Sequence, residues 1–426
     1  MNLLSICLPV LLLAIPSLAA TPAMEPGGHV LAGRALDERV ETLMHEARIP
    51  GLALAVIEDG RVVHLKAYGS RDVERNLPLT IDTVMYGASI TKGEFAYAVM
   101  SLVEAGKLDL DRSIADYLPR PLPEYGKYAD LAGDERWRKL TPRMLLSHTA
   151  GFPNFRFFLP DGRFDEHGKL RIEFQPGSRY AYSGEGINLL QFVIEAGLGI
   201  DAGELMQRQV FDRFGMKRSS MVWRDDFADD LAIGYDELGK PLGHKQRGAV
   251  RAAGSMDTTI ADQAAFLAGF VRGEGLSTAS KAELLRPQIA IHSVQQFPTL
   301  SEDTTWDNRG IDLSYGLGWV VYRTPRGRAW SKGGHDDGTN NLTLCVADGR
   351  RCLVVLSNSS NGEGIFKYLA DAALGPTCLP WFWGAYIPYD HPEWRKPEAR
   401  ALSHPPCGPM PGNAQATKTG AKRHNE

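Results

Sequence analysis

The sequence lacks a strong charge of either sign, a zinc-binding pattern and an internal repeat. Its 426 residues carry 47 Lys and Arg against 51 Asp and Glu, which gives a formal net charge of -4. This balance gives no indication of a nucleic acid or an anionic membrane as a partner. No spacing of Cys and His resembles a zinc site, so we predict neither a metal site nor a cofactor.

Long hydrophobic runs are also scarce, and the clearest one lies at the N-terminus. Residues 3–15 are apolar but too few to span a bilayer, and residues 16–20 provide the small side chains of a cleavage site. This pattern predicts a signal peptide over residues 1–20, a mature chain that begins near Thr21, and export to the periplasm without a stable membrane span. Because the leader has no Lys or Arg, an uncleaved anchor is the alternative.

Cysteine is sparse, with five in the chain, and Cys7 lies in the predicted signal peptide. The even set that remains consists of Cys345, Cys352, Cys378 and Cys407. An even number of cysteines in an exported protein predicts disulfides. Cys345 and Cys352 flank Asp348-Gly349, a strong hairpin turn, and counting outward from the turn places them opposite each other. By elimination, Cys378 is expected to pair with Cys407 and to hold the C-terminal tail.

The order of the elements predicts an α/β protein, an α+β sandwich in which both ends of the chain build one antiparallel sheet. The predicted strands are residues 52–57, 61–65, 318–323, 329–332, 342–346 and 352–356. The predicted helices include residues 35–48, 89–105, 187–196, 202–214, 262–270 and 365–374. Because the strands flank a mostly helical middle, we expect helices to cover the sheet and an insertion at about 109–251 to lie beside it.

This pattern divides the chain into a main domain over residues 21–375 and a C-terminal arm over residues 376–426. The arm is rich in aromatic residues and proline, and we expect it to pack over the main domain, held by Cys378. A strip that binds a partner protein or a carbohydrate is the alternative. From residue 412 onward the side chains are small, polar and basic, which predicts disorder.

The candidate nucleophile is Ser89, at the start of the helix predicted over residues 89–105. Lys92 follows three positions later on the same helix face, so its side chain can reach the Ser89 hydroxyl. Free N–H groups at a helix N-terminus also favour developing negative charge. The pair predicts a nucleophile with its own base, and the alternative is an N-cap serine followed by a solvated lysine.

Two later stretches can complete such a site. Tyr182 lies in a turn where a neighbouring lysine would stabilise its phenolate and make it a candidate base, although a buried tyrosine with a bonded hydroxyl is the alternative. Lys332 stands at the end of a predicted strand, and the glycines that follow it let the backbone approach a ligand closely. Lys332 can hold a substrate carboxylate or tune Lys92, and the alternative is a charged strand end before a glycine turn.

In this order, the motifs resemble those of the serine β-lactamase and penicillin-binding-protein superfamily, above all its class C-type and esterase branch. The resemblance covers about residues 35–374. Its three main elements are Ser89-Ile90-Thr91-Lys92 for Ser-x-x-Lys, Tyr182 for the second motif, and Lys332-Gly333-Gly334 for Lys-Thr-Gly. Further segments that match the superfamily are residues 106–111, 145–152, 253–256 and 315–319.

The resemblance implies that Ser89 forms an acyl-enzyme and that Lys92 and Tyr182 share the role of base. It places the oxyanion donors at the backbone N–H groups of Ser89 and His335. The substrate-binding residues that it implies are Lys332, Gly333, Gly334 and Gly184. A neutral Lys92 requires its pKa to fall by roughly 3 units through burial beside Lys332, so Tyr182 as the anionic partner of a charged Lys92 is an equal alternative.

The sequence departs from the superfamily pattern at two glycines. The second motif is usually Tyr-x-Asn, and the position of its asparagine is Gly184. The threonine of Lys-Thr-Gly is replaced by Gly333, which removes a hydroxyl donor. These changes argue against efficient hydrolysis of β-lactams or peptides, and His335-Asp336-Asp337 after the glycines is also unusual.

We therefore predict an exported serine hydrolase that cleaves an ester or amide bond in a small-molecule or peptide substrate. Two alternatives are a class C-like β-lactamase and a D-amino-acid peptidase of cell-wall metabolism. A third is a non-catalytic member of the superfamily that acts as a binding or scaffold protein. The sequence gives no indication of the oligomeric state.

Overall fold

A computed structural model of the protein describes residues 30–159, 161–395 and 407. The predicted signal peptide and the predicted disordered tail lie outside these residues. The strands are β1 (Gly51–Glu58), β2 (Arg61–Asp72), β3 (Leu77–Pro78), β4 (Met85–Tyr86), β5 (Gly234–Tyr235), β6 (Pro241–Gly243), β7 (Asp257–Thr258), β8 (Ile289–Ala290), β9 (Ser314–Tyr315), β10 (Val320–Thr324), β11 (Gly327–Asp336), β12 (Thr339–Val346) and β13 (Arg351–Ser357). The α-helices are α1 (Gly33–Ala47), α2 (Thr91–Glu104), α3 (Pro142–Leu146), α4 (Gly184–Leu198), α5 (Ala202–Met206), α6 (Asp212–Phe214), α7 (Ile260–Arg272), α8 (Thr278–Leu284) and α9 (Phe366–Leu374).

One antiparallel sheet of nine strands joins the two ends of the chain. Its order is β3-β2-β1-β13-β12-β11-β10-β9-β8. The N-terminal strand β1 pairs with the late strand β13, with Ala53 opposite Leu356. The predicted fold class is therefore confirmed. The sheet also has the short edge strands β3 and β8, and the short strand β9 next to β8, that the sequence pattern did not reveal.

Strand β1 is buried on both faces of the sheet. Leu52 and Leu54 of β1 belong to a core that includes α1 and α9, whereas Ala53 and Ala55 belong to a core that includes α2 and α7. Because successive side chains of a strand point to opposite faces, a fully apolar β1 requires such a layer on each side.

Helix α2 lies in the interior, between the sheet and the helical middle of the chain. Its side chains are buried around most of its circumference, from Thr91 to Met100. Residues 109–251 contain helices α3 to α6, several 3-10 turns and the small hairpin of β5 and β6. The domain boundaries stay a prediction.

Both predicted disulfides are present. Cys345 lies opposite Cys352 on the hairpin of β12 and β13, and the two are bonded. Cys378 is bonded to Cys407. The pairing of Cys345 with Cys352 follows from the position of the hairpin turn, as the sequence predicted.

The C-terminal arm packs against the main domain. Trp381 and Trp383 are each only 3% exposed, so these two side chains are core residues and cannot form the exposed binding strip that was the alternative. Trp394 stacks on His391, with ring centroids 4.2 Å apart. The described helices include none with the length and apolarity needed to cross a membrane.

Two predicted positions need correction. The stretch from Lys332 to His335 does not follow a strand, because hydrogen bonding to β12 continues through the glycines and β11 ends only at Asp336. Ser89 lies in a 3-10 turn, Ala88–Ile90, that precedes the first residue of α2.

Candidate active site

The start of α2 brings Ser89 and Lys92 together. Lys92 is 1% exposed, and its Nζ lies 2.9 Å from Oγ of Ser89 and 2.5 Å from the carbonyl oxygen of Ala253. Ala88, just before the serine, has a φ of 48°, which is uncommon for a residue with a side chain. The backbone therefore makes a tight turn that directs the Ser89 hydroxyl towards the lysine.

Tyr182 lies between two lysines, directly before α4. Nζ of Lys92 is 4.9 Å from the centroid of the Tyr182 ring, and Nζ of Lys332 is 5.1 Å from it. Lys332 also donates a hydrogen bond of 3.2 Å to Oη of Tyr182. The tyrosine is itself only 3% exposed. The structure thus brings the three predicted catalytic side chains and Lys332 together in one place.

Burial dominates the electrostatics of this group. It lowers the pKa of Lys92 well below the ordinary value, and the charge of Lys332 lowers that pKa further. Burial also lowers the pKa of Lys332 to about 7. For Tyr182 burial raises the pKa, and hydrogen bonding to Ser89 offsets only part of the rise. The direction at Tyr182 differs from the predicted stabilisation of its phenolate, because removing the ring from water disfavours the charged form.

Strand β11 approaches the nucleophile through Gly334. A Cβ atom at this position would lie 3.2 Å from the backbone N of Ser89 and 2.7 Å from the carbonyl oxygen of Gly87, so only glycine fits. Asn341 on β12 stabilises this approach of β11 to the segment before Ser89, because its Nδ2 donates hydrogen bonds to the carbonyl oxygens of Tyr86 and Gly87. The next residue, His335, places its ring Nδ1 3.2 Å from the carboxylate of Glu363.

A buried histidine supports Tyr182, and sequence reasoning gave it no role. Nδ1 of His148 accepts a hydrogen bond from the backbone N–H of Ser183, and its Nε2 lies 3.2 Å from Oη of Tyr315. Burial lowers the pKa of His148 far below its ordinary value, and the two lysine charges add to this effect. The ring is therefore neutral with its proton on Nε2, and it packs 4.6 Å from the ring of Tyr182. The only feature of the sequence that pointed to His148 was its position in residues 145–152, a segment that matches the superfamily.

An open cleft of about 510 Å³ lies over these residues. Its lining includes Ser89, Tyr182 and the β11 residues Ser331 to Asp336, together with Leu379 and Trp383 of the C-terminal arm. No group of His, Cys, Asp and Glu side chains in the described part of the chain could hold a metal ion. The arrangement is that of a hydroxyl open to a cleft, with a buried amine and a buried phenol beside it, which suits acyl transfer.

Comparison with known proteins agrees with this geometry. The sequence model of the Beta-lactamase family matches residues 36–375, which is most of the chain. The chain belongs to the beta-lactamase family. The family is one of serine hydrolases, and its members include esterases, peptidases and beta-lactamases.

Individual relatives of this beta-lactamase family member have different activities. A D-aminopeptidase of Brucella anthropi is 27% identical over 350 residues, which cover 80% of this chain but only 62% of that protein. Esterase EstB of Burkholderia gladioli is 28% identical over 323 residues, covering 68% of this chain and 78% of the esterase. The solved octameric penicillin-binding protein homologue from Pyrococcus abyssi superposes with a TM-score of 0.63 at 24% identity, over 80% of this chain and 77% of that one. This last likeness concerns the fold alone.

At each of the two glycines that depart from the family motifs, a polar group from elsewhere in the chain occupies the space that a side chain would take. A Cβ atom at Gly184 would lie 2.8 Å from the carbonyl oxygen of Asn154 and 3.0 Å from its Oδ1. Oδ1 of Asn154 accepts a hydrogen bond of 3.0 Å from the Gly184 N–H. Its Nδ2 has no hydrogen-bond partner within the described part of the chain, and Asn154 lines the cleft. A carboxamide is therefore present although position 184 has none.

At Gly333, too, a polar group from elsewhere in the chain occupies the space that a side chain would take. A Cβ atom there would clash with Oη of Tyr386, a residue of the C-terminal arm. The Tyr386 ring packs against Phe366 and Trp381, with centroids 5.7 Å and 5.9 Å away, and it lines the cleft. Its hydroxyl forms no hydrogen bond with any other described residue. Sequence reasoning missed Asn154 and Tyr386 because both are distant in the chain from the motifs they adjoin.

Proposed function

We propose that this protein is an exported serine hydrolase that cleaves an ester or amide bond through an acyl-enzyme on Ser89. The main support is the 2.9 Å approach of the buried Lys92 Nζ to the Ser89 hydroxyl, together with the lowered pKa of that lysine. A lysine whose pKa is lowered loses its proton more readily and can then act as a base, whereas an ordinary surface lysine stays charged near physiological pH.

The proposed sequence of steps assigns one proton transfer to each partner. Neutral Lys92 accepts the proton of Ser89 as Oγ attacks the carbonyl carbon, and the backbone N–H groups of Ser89 and His335 bind the oxyanion. As the tetrahedral intermediate collapses, Tyr182 gives its proton to the leaving group and regains one from Lys332, whose Nζ donates to its hydroxyl. Water then attacks the carbonyl carbon of the acyl-enzyme and passes a proton through Tyr182 to Lys332, which the first half-reaction left neutral. Protonated Lys92 returns its proton to Oγ of Ser89 as the acid is released.

The raised pKa of Tyr182 supports this division of roles over the alternative with an anionic tyrosine. A phenol that stays protonated is suited to donate to a leaving group and poorly suited to act as the resting base. We assign substrate contacts to Lys332, Gly333, Gly334 and Gly184, with Asn154 Nδ2 and Tyr386 Oη as additional donors.

Export is supported by the cysteines. Two disulfides are formed among the described residues, and disulfides persist in oxidising compartments such as the periplasm. The predicted signal peptide is the other argument for export.

A peptidase that acts on substrates with a carboxylate is the second candidate. A cavity of about 840 Å³ adjoins Ser89, and its lining has more cationic than anionic side chains. The cations are Lys127, Arg156, Lys245, Arg247 and Arg251, and the carboxylates are Glu185 and Asp336. Such a surface would attract an anionic group of the substrate.

Covalent labelling tests the proposal. The protein is incubated with a fluorophosphonate and with a fluorescent penicillin, and the modified peptide is identified by mass spectrometry. Hydrolysis of p-nitrophenyl esters, nitrocefin and D-Ala-D-Ala peptides is measured in parallel. We expect an adduct on Ser89 and turnover that the Ser89→Ala variant loses. Turnover that persists in Ser89→Ala would refute the mechanism, and a folded protein with neither adduct nor turnover would indicate a binding or scaffold protein.

A further inference from the structure

An apolar cavity adjoins the catalytic cleft. It has a volume of about 460 Å³, and its walls include Phe155, Phe158, Leu159, Phe297, Pro298 and Leu300. Asn154, Phe155 and Phe297 line both this cavity and the cleft that contains Ser89. The two spaces are therefore adjacent, separated only by these three side chains.

The phenylalanines of this cavity are unusually exposed. Phe155 is 41% exposed, Phe158 46% and Phe297 43%. Apolar rings left in contact with water at the edge of an active site are typical of a ligand-binding surface, because covering them is favourable. The residues that line the cavity in the described part of the chain include no ionisable side chain, so the cavity does not favour a charged group.

The cavity is also in contact with a catalytic residue. The ring of Phe297 lies 5.7 Å from the ring of Tyr182, edge to face. The segment of Phe297 is held by the C-terminal arm, since the Gln296 N–H donates to the carbonyl oxygen of Trp383 at 2.8 Å. A group placed among the phenylalanines would therefore sit beside the reacting centre in a defined position.

We propose that this cavity, which we call the phenylalanine pocket, is a substrate subsite that binds an uncharged alkyl or aryl substituent of the ester or amide. The proposal rests on the proposed function and specifies its substrate class: substrates with an apolar group of several carbons are preferred over acetyl or methyl derivatives. The substituent belongs either to the acyl group or to the leaving group, and the two are distinguished by experiment.

Two ester series test the proposal. The first varies the acyl chain of p-nitrophenyl esters from acetate to octanoate, and the second varies the alcohol of acetate esters from ethyl to hexyl and phenyl, followed by pH-stat. We expect kcat/KM to rise by roughly twofold to fourfold per methylene in one series, as apolar surface leaves water. The responding series identifies whether the acyl or the leaving group enters the phenylalanine pocket.

Two variants connect the preference to the phenylalanine pocket. Thr299 also lines the pocket, so Thr299→Trp fills it, whereas Phe158→Ala removes part of its wall. We expect each variant to lower the ratio of kcat/KM for the longest substrate to that for the shortest at least fivefold. Leu238, 93% exposed in the turn between β5 and β6, gives the control Leu238→Ala, which should keep the wild-type ratio and rates.

These experiments distinguish failure of the subsite proposal from failure of the proposed function. No turnover with any ester or amide refutes the proposed function itself. Turnover with a flat response in both series, or a preference that both pocket variants retain, refutes the subsite alone. A flat response together with binding to phosphatidylcholine vesicles that Phe158→Ala abolishes would instead assign the exposed rings to a membrane surface.

Discussion

The main domain, up to the end of α9, and the C-terminal arm that follows it contribute to the same cleft in different ways. The main domain provides the charged and nucleophilic groups: Lys92 on α2 and Lys332 on β11 are buried, and Ser89 lies partly buried in the 3-10 turn before α2. The arm provides neutral walls, with Trp383 and Tyr386 as the clearest examples. The chemistry therefore depends on the family fold, whereas the walls of the substrate space come partly from that fold, as in the phenylalanine pocket, and partly from a segment beyond the family match, which ends at residue 375.

The largest effect is expected from a change in the main domain that leaves the arm intact. Lys92→Gln removes the proposed base but can keep a hydrogen bond to Ser89, so kcat/KM should fall by about 100- to 10,000-fold. The measurement is steady-state kinetics with the best substrate, with thermal unfolding to verify folding. Lys281→Gln is the matched control, since Lys281 is a part-buried lysine that donates to the Val271 carbonyl oxygen away from the cleft. A loss of less than tenfold in Lys92→Gln would contradict the assignment.

The disulfides allow the arm and the main domain to be compared directly. Cys378→Ser opens a link between residues 29 apart, and Cys352→Ser opens one between residues 7 apart. Loop entropy alone predicts losses in the free energy of unfolding of about 3.5 and about 2.5 kcal/mol, to be measured by denaturant titration without reductant. We also expect kcat/KM to fall only in Cys378→Ser, because that change frees the arm that lines the cleft. Wild-type kcat/KM in a folded Cys378→Ser protein would show that the arm does not shape the site.

The pH profile examines the coupling of the two lysines inside the main domain. Below the pKa of Lys92 the amine is protonated and cannot accept the Ser89 proton, so kcat/KM should fall as the pH is lowered. Lys332 lowers the pKa of Lys92, and Lys332→Met removes that charge. The pKa of Lys92 should then rise, and the acid limb of kcat/KM should move to higher pH. An unmoved limb, or one that moves to lower pH, would contradict the coupling.

The smallest effect is expected from a single hydroxyl of the arm. Tyr386→Phe keeps the ring but removes the donor beside Gly333, and a lost hydrogen bond to substrate should lower kcat/KM by about 2- to 10-fold. Gly333→Thr alone should be more damaging because its side chain clashes with Tyr386. In the double variant Gly333→Thr/Tyr386→Ala the clash is relieved and a hydroxyl is restored. Additive losses in the double variant would show that the two positions do not share one space.

Much of the main domain was predictable because its signals are local. The Ser89–Lys92 spacing needs only the geometry of one helix turn, and the Cys345–Cys352 pairing needs only the position of a hairpin turn. The glycines after Lys332 were misplaced at a strand end, since a glycine pair weakens the strand pattern although β12 still pairs with it. Asn154 and Tyr386 gave no local signal, because each matters only through a contact with a residue far away in the chain.

The sequence by itself determined the fold class, the family and the identity of the three side chains expected to perform the chemistry. This was possible because periodicity and motif spacing can be recognised within short continuous segments of the chain. The tertiary structure alone decided the charge states and the substrate space. Burial, which lowers the pKa of both lysines and raises that of Tyr182, is a property of everything packed around them. The C-terminal arm, the phenylalanines of the pocket and the two glycines likewise come together around the cleft only when distant segments fold against one another.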